Sequence, residues 1–212
     1  MMKNKFIVVE GLENAGKTTA CNIIIDILNK YGIKREKILL TREPGGTPIA
    51  ESLRTIITNQ KQQEHITKIT ELLVIYAARA QLLDNVIKPA LKCGKWVISD
   101  RHNLSSHAYQ GGGRQLNSDL IDELSYIVLG DFYPDITFYL DITPDICLQR
   151  LKIQGNLDRI EQESLDFFER TRNFYLKKIQ QNDNIIFIDA TQSLDRVVQN
   201  LKKYLLNWLK NQ

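Results

Sequence analysis

Three observations predict an α/β fold in which a five-stranded parallel sheet carries helices on both faces. Five short apolar runs read as strands, helical patterns alternate with them, and a glycine-rich loop joins the first strand to the first helix. The runs are FIVVE (6–10), KILLT (37–41), WVISD (96–100), ITFYLD (136–141) and IIFIDA (185–190). They lack a polar alternation, so each is expected to be buried on both faces. The clearest helix is the last. Leu194, Val197, Val198, Leu201, Leu205 and Trp208 recur at spacings of three and four, with Lys202, Lys203 and Lys210 between them. No internal repeat, low-complexity tract or Pro/Gly/Ser linker interrupts the pattern, so residues 1–212 are read as a single domain.

Composition narrows the function classes. The chain is 43% hydrophobic and 25% charged, enough for a sizeable core. Its net charge is +3, but the basic residues are scattered among acids, so no nucleic acid and no membrane is expected as a partner. Cys21, Cys93 and Cys147 are far apart and form no CxxC pair, which predicts neither a disulfide framework nor a zinc site. His65, His102 and His107 have no metal-ligand spacing and are expected at the surface or as supporting residues. The first apolar run is too short for a signal segment and no segment approaches eighteen apolar residues, so a soluble cytoplasmic protein is expected.

The loop GLENAGKT places Gly11, Leu12, Glu13, Asn14, Ala15, Gly16, Lys17 and Thr18 on the pattern G-x-x-x-x-G-K-[ST], between a predicted strand and a predicted helix. Its glycines let successive backbone N–H groups converge on phosphate oxygens at a helix N-terminus. Lys17 adds a point charge at the β and γ phosphates, Thr18 offers a hydroxyl to Mg²⁺, and Thr19 is a helix residue. The motif specifies a nucleoside triphosphate, not a reaction. A GTPase switch is not supported, because NKYG (29–32) lacks the acid of N-K-x-D and no D-x-x-G occurs.

Ligands of parallel sheets bind beyond the carboxyl ends of the strands, where Glu10, Thr41, Asp100 and Asp141 are predicted to lie. Asp100, closing an apolar strand, suits a carboxylate that acts on Mg²⁺. Arg79 lies beside an apolar helical stripe of Leu72, Tyr76, Ala80, Leu83 and Ile87. A structural ion pair, a snorkelling side chain and a ligand contact are all open for it. TREPGGT (41–47) is either an ordinary tight turn or a loop whose backbone approaches a ligand. Arg42 and Arg101 nevertheless fall on the same sheet edge as the phosphate loop, and two arginines beside a triphosphate site suggest a second anion.

Taken in order, IVVEGLENAGKTT, TREPGGT, YAARAQL, DRHNLSSHAYQGGGR, GDFYPD, YLDITP and LDRIEQES resemble bacterial thymidylate kinase over nearly the whole chain. The resemblance implies a three-layer P-loop NTPase fold, transfer of the γ-phosphoryl group of ATP to dTMP, Mg²⁺ as cofactor, and a homodimer. It implies that Arg101 bridges the dTMP phosphate and the transferred group, and that Arg42 stands near the acceptor phosphate. Arg79 would hydrogen-bond a thymine carbonyl and Ser106 would approach the base edge. Tyr109 would stand against the 2′ position, and Glu13 would lie near the 3′-hydroxyl. Pro44, Gly45, Ile75 and Gln110 complete the implied dTMP site, and Thr18 and Asp100 the metal site.

QRLKIQGNLDRIEQES (149–164) reads either as a solvated connector or, by the resemblance, as a lid (about 149–161) closing over ATP. Two positions depart from the family. Gln154 stands where relatives with an acid in the phosphate loop carry a catalytic lid arginine, so Arg150, Lys152 or Arg159 is expected to take that role, or turnover to be slow. Ile75 stands where relatives stack a phenylalanine on thymine, which predicts weaker dTMP binding, because the aromatic contribution of about 0.5–1.5 kcal/mol is missing. Two alternatives are another nucleoside monophosphate kinase and a P-loop regulatory module that binds ATP without an acceptor. Acceptor-dependent ADP formation across several monophosphates separates them.

Overall fold

The structure is a computed structural model that describes residues 4–60 and 64–211. Its strands are β1 (Phe6–Gly11), β2 (Ile38–Arg42), β3 (Trp96–Asp100), β4 (Ile136–Asp141) and β5 (Ile185–Asp189). They form one parallel sheet in the order β2-β3-β1-β4-β5. The helices are α1 (Lys17–Lys30), α2 (Pro48–Thr58), α3 (Lys68–Leu82), α4 (Lys88–Lys92), α5 (Asn103–Ser106), α6 (Ser118–Leu129), α7 (Pro144–Gln154), α8 (Leu165–Ile179) and α9 (Leu194–Lys210). Two π-helical stretches continue them: Leu83–Ile87 joins α3 to α4, and His107–Gly113 follows α5.

Side chains alternate across the sheet and so build two separate cores. Ile7, Val9 and Ile98 face a large cluster that includes Ile24 and Leu28 of α1 and Leu201 and Leu205 of α9. Phe6, Val8 and Val97 face Leu82, Leu83 and Ile87 on the opposite side. The three expected layers follow directly from this alternation. Helix starts are set locally: Thr47, Thr67, Thr143, Ser164 and Ser193 each accept a backbone N–H three residues on. Proline occupies the first turn of α2 and α7, where its missing N–H goes unneeded.

Two expectations are corrected. Complete burial holds for β1 and β4 but not for β2 and β5, which are the sheet edges and are only partly covered; Phe187 of β5 is 41% exposed. In α9 the buried stripe is Val197, Leu201, Leu205 and Leu209, while Leu194 lies beyond the core edge and is exposed. Cys21 and Cys147 are buried free thiols and Cys93 is an exposed one.

Candidate active site

Parallel strands bring their carboxyl ends to one edge, and two cavities open there. They share Glu13, Glu43, Arg54 and Arg101 in their linings. One is built around the phosphate loop. At Gly11, φ is +148° and a Cβ would lie 2.5 Å from the Leu140 carbonyl oxygen, so a side chain is barred on both counts. Gly16, at φ +92°, caps α1 and aims the helix start at the cavity. Lys17 is buried and donates from Nζ to the Leu12 carbonyl at 2.7 Å, with Glu13 Oε2 at 3.9 Å. Burial, reinforced by Arg101, lowers the pKa of its ammonium group. Thr18 Oγ1 donates to Asp100 Oδ2 at 2.7 Å, which joins the helix start to the end of β3.

Arg101 follows β3 with φ at +72°, a backbone region that a non-glycine residue enters only when its surroundings hold it there. Its amide donates to the Val9 carbonyl at 2.9 Å. Its guanidinium reaches the Gly11 carbonyl (2.9 Å), Ser105 Oγ (3.1 Å), Glu13 Oε1 (2.6 Å) and the Tyr109 hydroxyl (3.1 Å), and lies over the Tyr109 ring. Burial disfavours its charge, but Glu13 and the surrounding oxygens outweigh burial and raise its pKa further. Burial likewise opposes ionisation of Glu13, yet Arg101 and Lys17 together hold that carboxyl down at about 2. Behind them, Glu10 accepts from the His102 and Ser105 amides and from the Ser105 and Tyr175 hydroxyls, and so fixes the turn that carries Arg101.

The second cavity is lined by Pro44, Ile75, Arg79, Ser106, Tyr109 and Gln110 among others, and Asp158, Ile160 and Glu161 of the expected lid contribute to its wall. Arg79 is 1% exposed and donates to Glu43 Oε2 at 2.7 Å and Ser106 Oγ at 2.8 Å, with its guanidinium over the Tyr76 ring. The ion pair left open for it from the sequence is therefore present, in a residue that also lines the cavity. Glu43 has a second partner in His102 Nδ1 at 2.7 Å. Burial pushes the Glu43 carboxyl up, but Arg79 and then His102 override this and hold it at about 2. His102 is thus a buried supporting residue; His65 is exposed, and His107, half-buried, has its pKa lowered by burial to about 4.

The remaining expected residues are placed as follows. Arg42 lines the phosphate-loop cavity and pairs with Glu51 Oε2 at 2.8 Å on the surface. Gly45 turns the loop beneath the Glu51 carboxylate at φ +137°, next to Gly46, whose amide donates to Glu51. Arg150 donates to the Asn14 carbonyl at 2.9 Å, and Gln154 Oε1 accepts from Asn14 Nδ2 at 2.7 Å, so both reach the phosphate loop. Arg159 lines neither cavity; it donates to the Ile57 carbonyl and pairs with Glu71. Asp141 is held by Arg172 in a two-point ion pair.

Sequence reasoning missed Arg54, Glu43 and Glu71. Arg54 lines both cavities and donates to the Pro44 carbonyl at 3.0 Å. A signal existed, since it lies between Ala50 and Ile57 on the inward stripe of α2, where a cation is out of place. Glu43 and Glu71 are single acids with no such pattern around them.

The geometry is that of a phosphate-loop enzyme with a second arginine-bearing pocket beside the loop. A family model described as thymidylate kinase matches residues 9–201. A thymidylate kinase of Wigglesworthia glossinidia brevipalpis is 49% identical, with both chains covered completely. The crystal structure of thymidylate kinase from Ehrlichia chaffeensis superposes with a TM-score of 0.78 at 30% identity, covering 97% of this chain and 99% of that one. With two cavities meeting at Arg101 and these likenesses running the length of the chain, the protein belongs to the thymidylate kinase family.

Proposed function

We propose that the residues above divide the labour of an ATP-dependent thymidylate kinase, which passes the γ-phosphoryl group of ATP to dTMP and yields ADP and dTDP. The observation that carries this reading is the position of Arg101, which lines both cavities together with Glu13. A fixed cation there faces the donor's terminal phosphate on one side and the acceptor's phosphate on the other. Phosphoryl transfer asks the protein for alignment and charge neutralisation more than for covalent chemistry. The acceptor oxygen is already anionic, so no general base is required.

On the donor side, the backbone of residues 11–18 and the N-terminus of α1 hold the phosphates, and Lys17 leaves the Leu12 carbonyl to meet them. Arg150 and Gln154 brace the loop from the lid. On the acceptor side, Ile75, Arg79, Ser106 and Gln110 take the base, Glu13 and Tyr109 the sugar, and Arg42, Pro44, Gly45 and Arg101 the phosphate end. Arg159 contributes by docking the lid onto Glu71. Lid closure excludes water from the reactive phosphate.

The cofactor we assign is Mg²⁺. Thr18 and Asp100 are hard oxygen donors already in contact beside the phosphate loop, and magnesium is commonly held by one or two carboxylates together with substrate phosphates. When bound, the ion neutralises charge on the donor phosphates; the steps above belong to the protein's own side chains.

We also assign a single domain, a homodimer and a cytoplasmic location. Ile69 and Leu73 on α3 and Tyr126 and Ile127 on α6, helices that pack together, leave large apolar side chains in solvent, which supports a second copy on that face. Among the described residues no helix is long and apolar enough to cross a membrane. The test of the assignments is ADP release with ATP, Mg²⁺ and a panel of monophosphates. dTMP is expected to be preferred, and Arg101→Ala to lower kcat/KM at least 100-fold, on the order of 3 kcal/mol of transition-state stabilisation. An Arg101→Ala enzyme within threefold of the parent overturns the assignment.

A further inference from the structure

Glu71 lies in the first turn of α3, is 1% exposed, and touches neither cavity. Five contacts converge on it. Gln110 Nε2 donates to Oε1 at 2.8 Å, Arg114 Nε is shared between Oε1 at 3.1 Å and Oε2 at 3.2 Å, Arg114 Nη2 donates to Oε2 at 3.1 Å, and Arg159 Nη2 pairs with Oε2. Two arginines from different segments therefore fix the carboxylate in place and neutralise it. Burial opposes its ionisation, but the Arg114 hydrogen bonds and charge outweigh burial and lower its pKa, so it is a carboxylate at neutral pH.

An ionised carboxylate only accepts hydrogen bonds. The end of the Gln110 amide that faces Glu71 must therefore be the NH₂ group, whichever way an isolated amide would turn. The carbonyl oxygen is then left on the other side. Gln110 lines the acceptor cavity, and no donor among the described residues meets its Oε1. A ligand there meets an acceptor, not a donor.

We propose that Glu71 is a positioning residue for base selectivity: by holding the Gln110 NH₂ group, it presents a carbonyl oxygen that accepts from a ring N–H and is repelled by a ring nitrogen lone pair. Thymine and uracil carry such an N–H between two carbonyls, whereas cytosine has a lone pair at that ring position. Sites built around a hydrogen bond to the substrate reject analogues that leave the buried group unpaired. Arg159 ties the same carboxylate to the lid, so lid docking adds to the hold that Arg114 already has on it. The inference rests on the assignment of this cavity to the acceptor base.

The test is the ratio of kcat/KM for dTMP to that for dCMP, measured on the parent, Glu71→Gln, Gln110→Ala and the double variant. Both substrates are assayed on one preparation, so partial unfolding cancels in the ratio. A glutamine at 71 can face Gln110 with either end and frees the amide to turn. The ratio is expected to fall at least tenfold in Glu71→Gln, largely through KM for dTMP, and the double variant to match Gln110→Ala. Glu71→Asp, still an acceptor only, should stay within about threefold of the parent. Glu71→Ala serves as the second variant where Glu71→Gln folds poorly. An unchanged ratio at Glu71 beside a lowered one in Gln110→Ala overturns the role of Glu71 alone. An unchanged ratio in Gln110→Ala overturns the assignment of the base site, and the inference with it.

Discussion

Gln154 stands at the last residue of α7 and accepts a hydrogen bond from Asn14 in the phosphate loop. Its side chain thus already reaches the loop, but it brings no charge. Replacing it by arginine places a guanidinium at the end of a helix, where a cation is favoured, within reach of the donor phosphates. Gln154→Arg is expected to raise kcat about three- to tenfold with little change in KM for dTMP; a kcat equal to or below that of the parent refutes the phosphate-facing position of residue 154. At this scale the sequence was uneven as a guide. Lys17, Thr18 and Arg101 were legible because their spacing from glycines and strand ends is itself the signal. Glu71 and Glu43 were not, because an acid in the first turn of an amphipathic helix or in a tight turn looks the same whether it faces water or a buried arginine.

Elements were legible where packing and local preference agree. Five apolar runs gave five strands, with bounds that moved by one residue at each end that differs, because burial between helix layers demands an uninterrupted run. The π-helical stretches carried no such mark, since a stretch of little more than one wide turn is too short to show a period of its own in the sequence. The second of them, His107–Gly113, carries Tyr109 and Gln110 and lies against α8 through its glycines. A Cβ at Gly113 would come within 2.5 Å of Phe167 Cε2 and 2.7 Å of Thr171 Oγ1, both on buried residues of α8. Gly113→Ala is therefore expected to destabilise the fold by about 1–3 kcal/mol. For a chain of this size that lowers Tm by several degrees, on the order of 2–4 °C per kcal/mol. KM for dTMP should rise with it, because the base-binding side chains move with the stretch; an unshifted melting curve would show that the α8 contact is loose.

Across the whole molecule, the polar edge of the sheet couples catalysis to stability through buried carboxylates. Glu13 and Glu43 are both held at about 2, well below the ordinary glutamate value of 4.5, by Arg101 and Lys17 in one case and by Arg79 and His102 in the other, each against the cost of burial. A folded-state pKa below the unfolded one means that the unfolded chain binds protons first as pH falls. The stabilisation from each pair is therefore complete above about pH 4.5 and is lost as the pH drops towards 2. Glu13 keeps 21% of its side chain exposed, so water screens part of its pairing, whereas Glu43 at 3% is the stronger contributor. For Glu43 a displacement from 4.5 to about 2 corresponds to roughly 3 kcal/mol. Glu10 works in the opposite sense: burial raises its pKa, so above pH 4.5 its ionisation in the unfolded chain favours unfolding. Denaturant unfolding followed from pH 6 to pH 2 should show a steep loss of stability below pH 4.5 in the parent. Glu43→Gln should be less stable at pH 6 by about 3–5 kcal/mol, since Arg79 is left buried without its counter-charge. Its stability should fall less steeply between pH 4.5 and 2, and a Glu43→Gln slope as steep as the parent's would show that this pair does not set the acid limit of the fold.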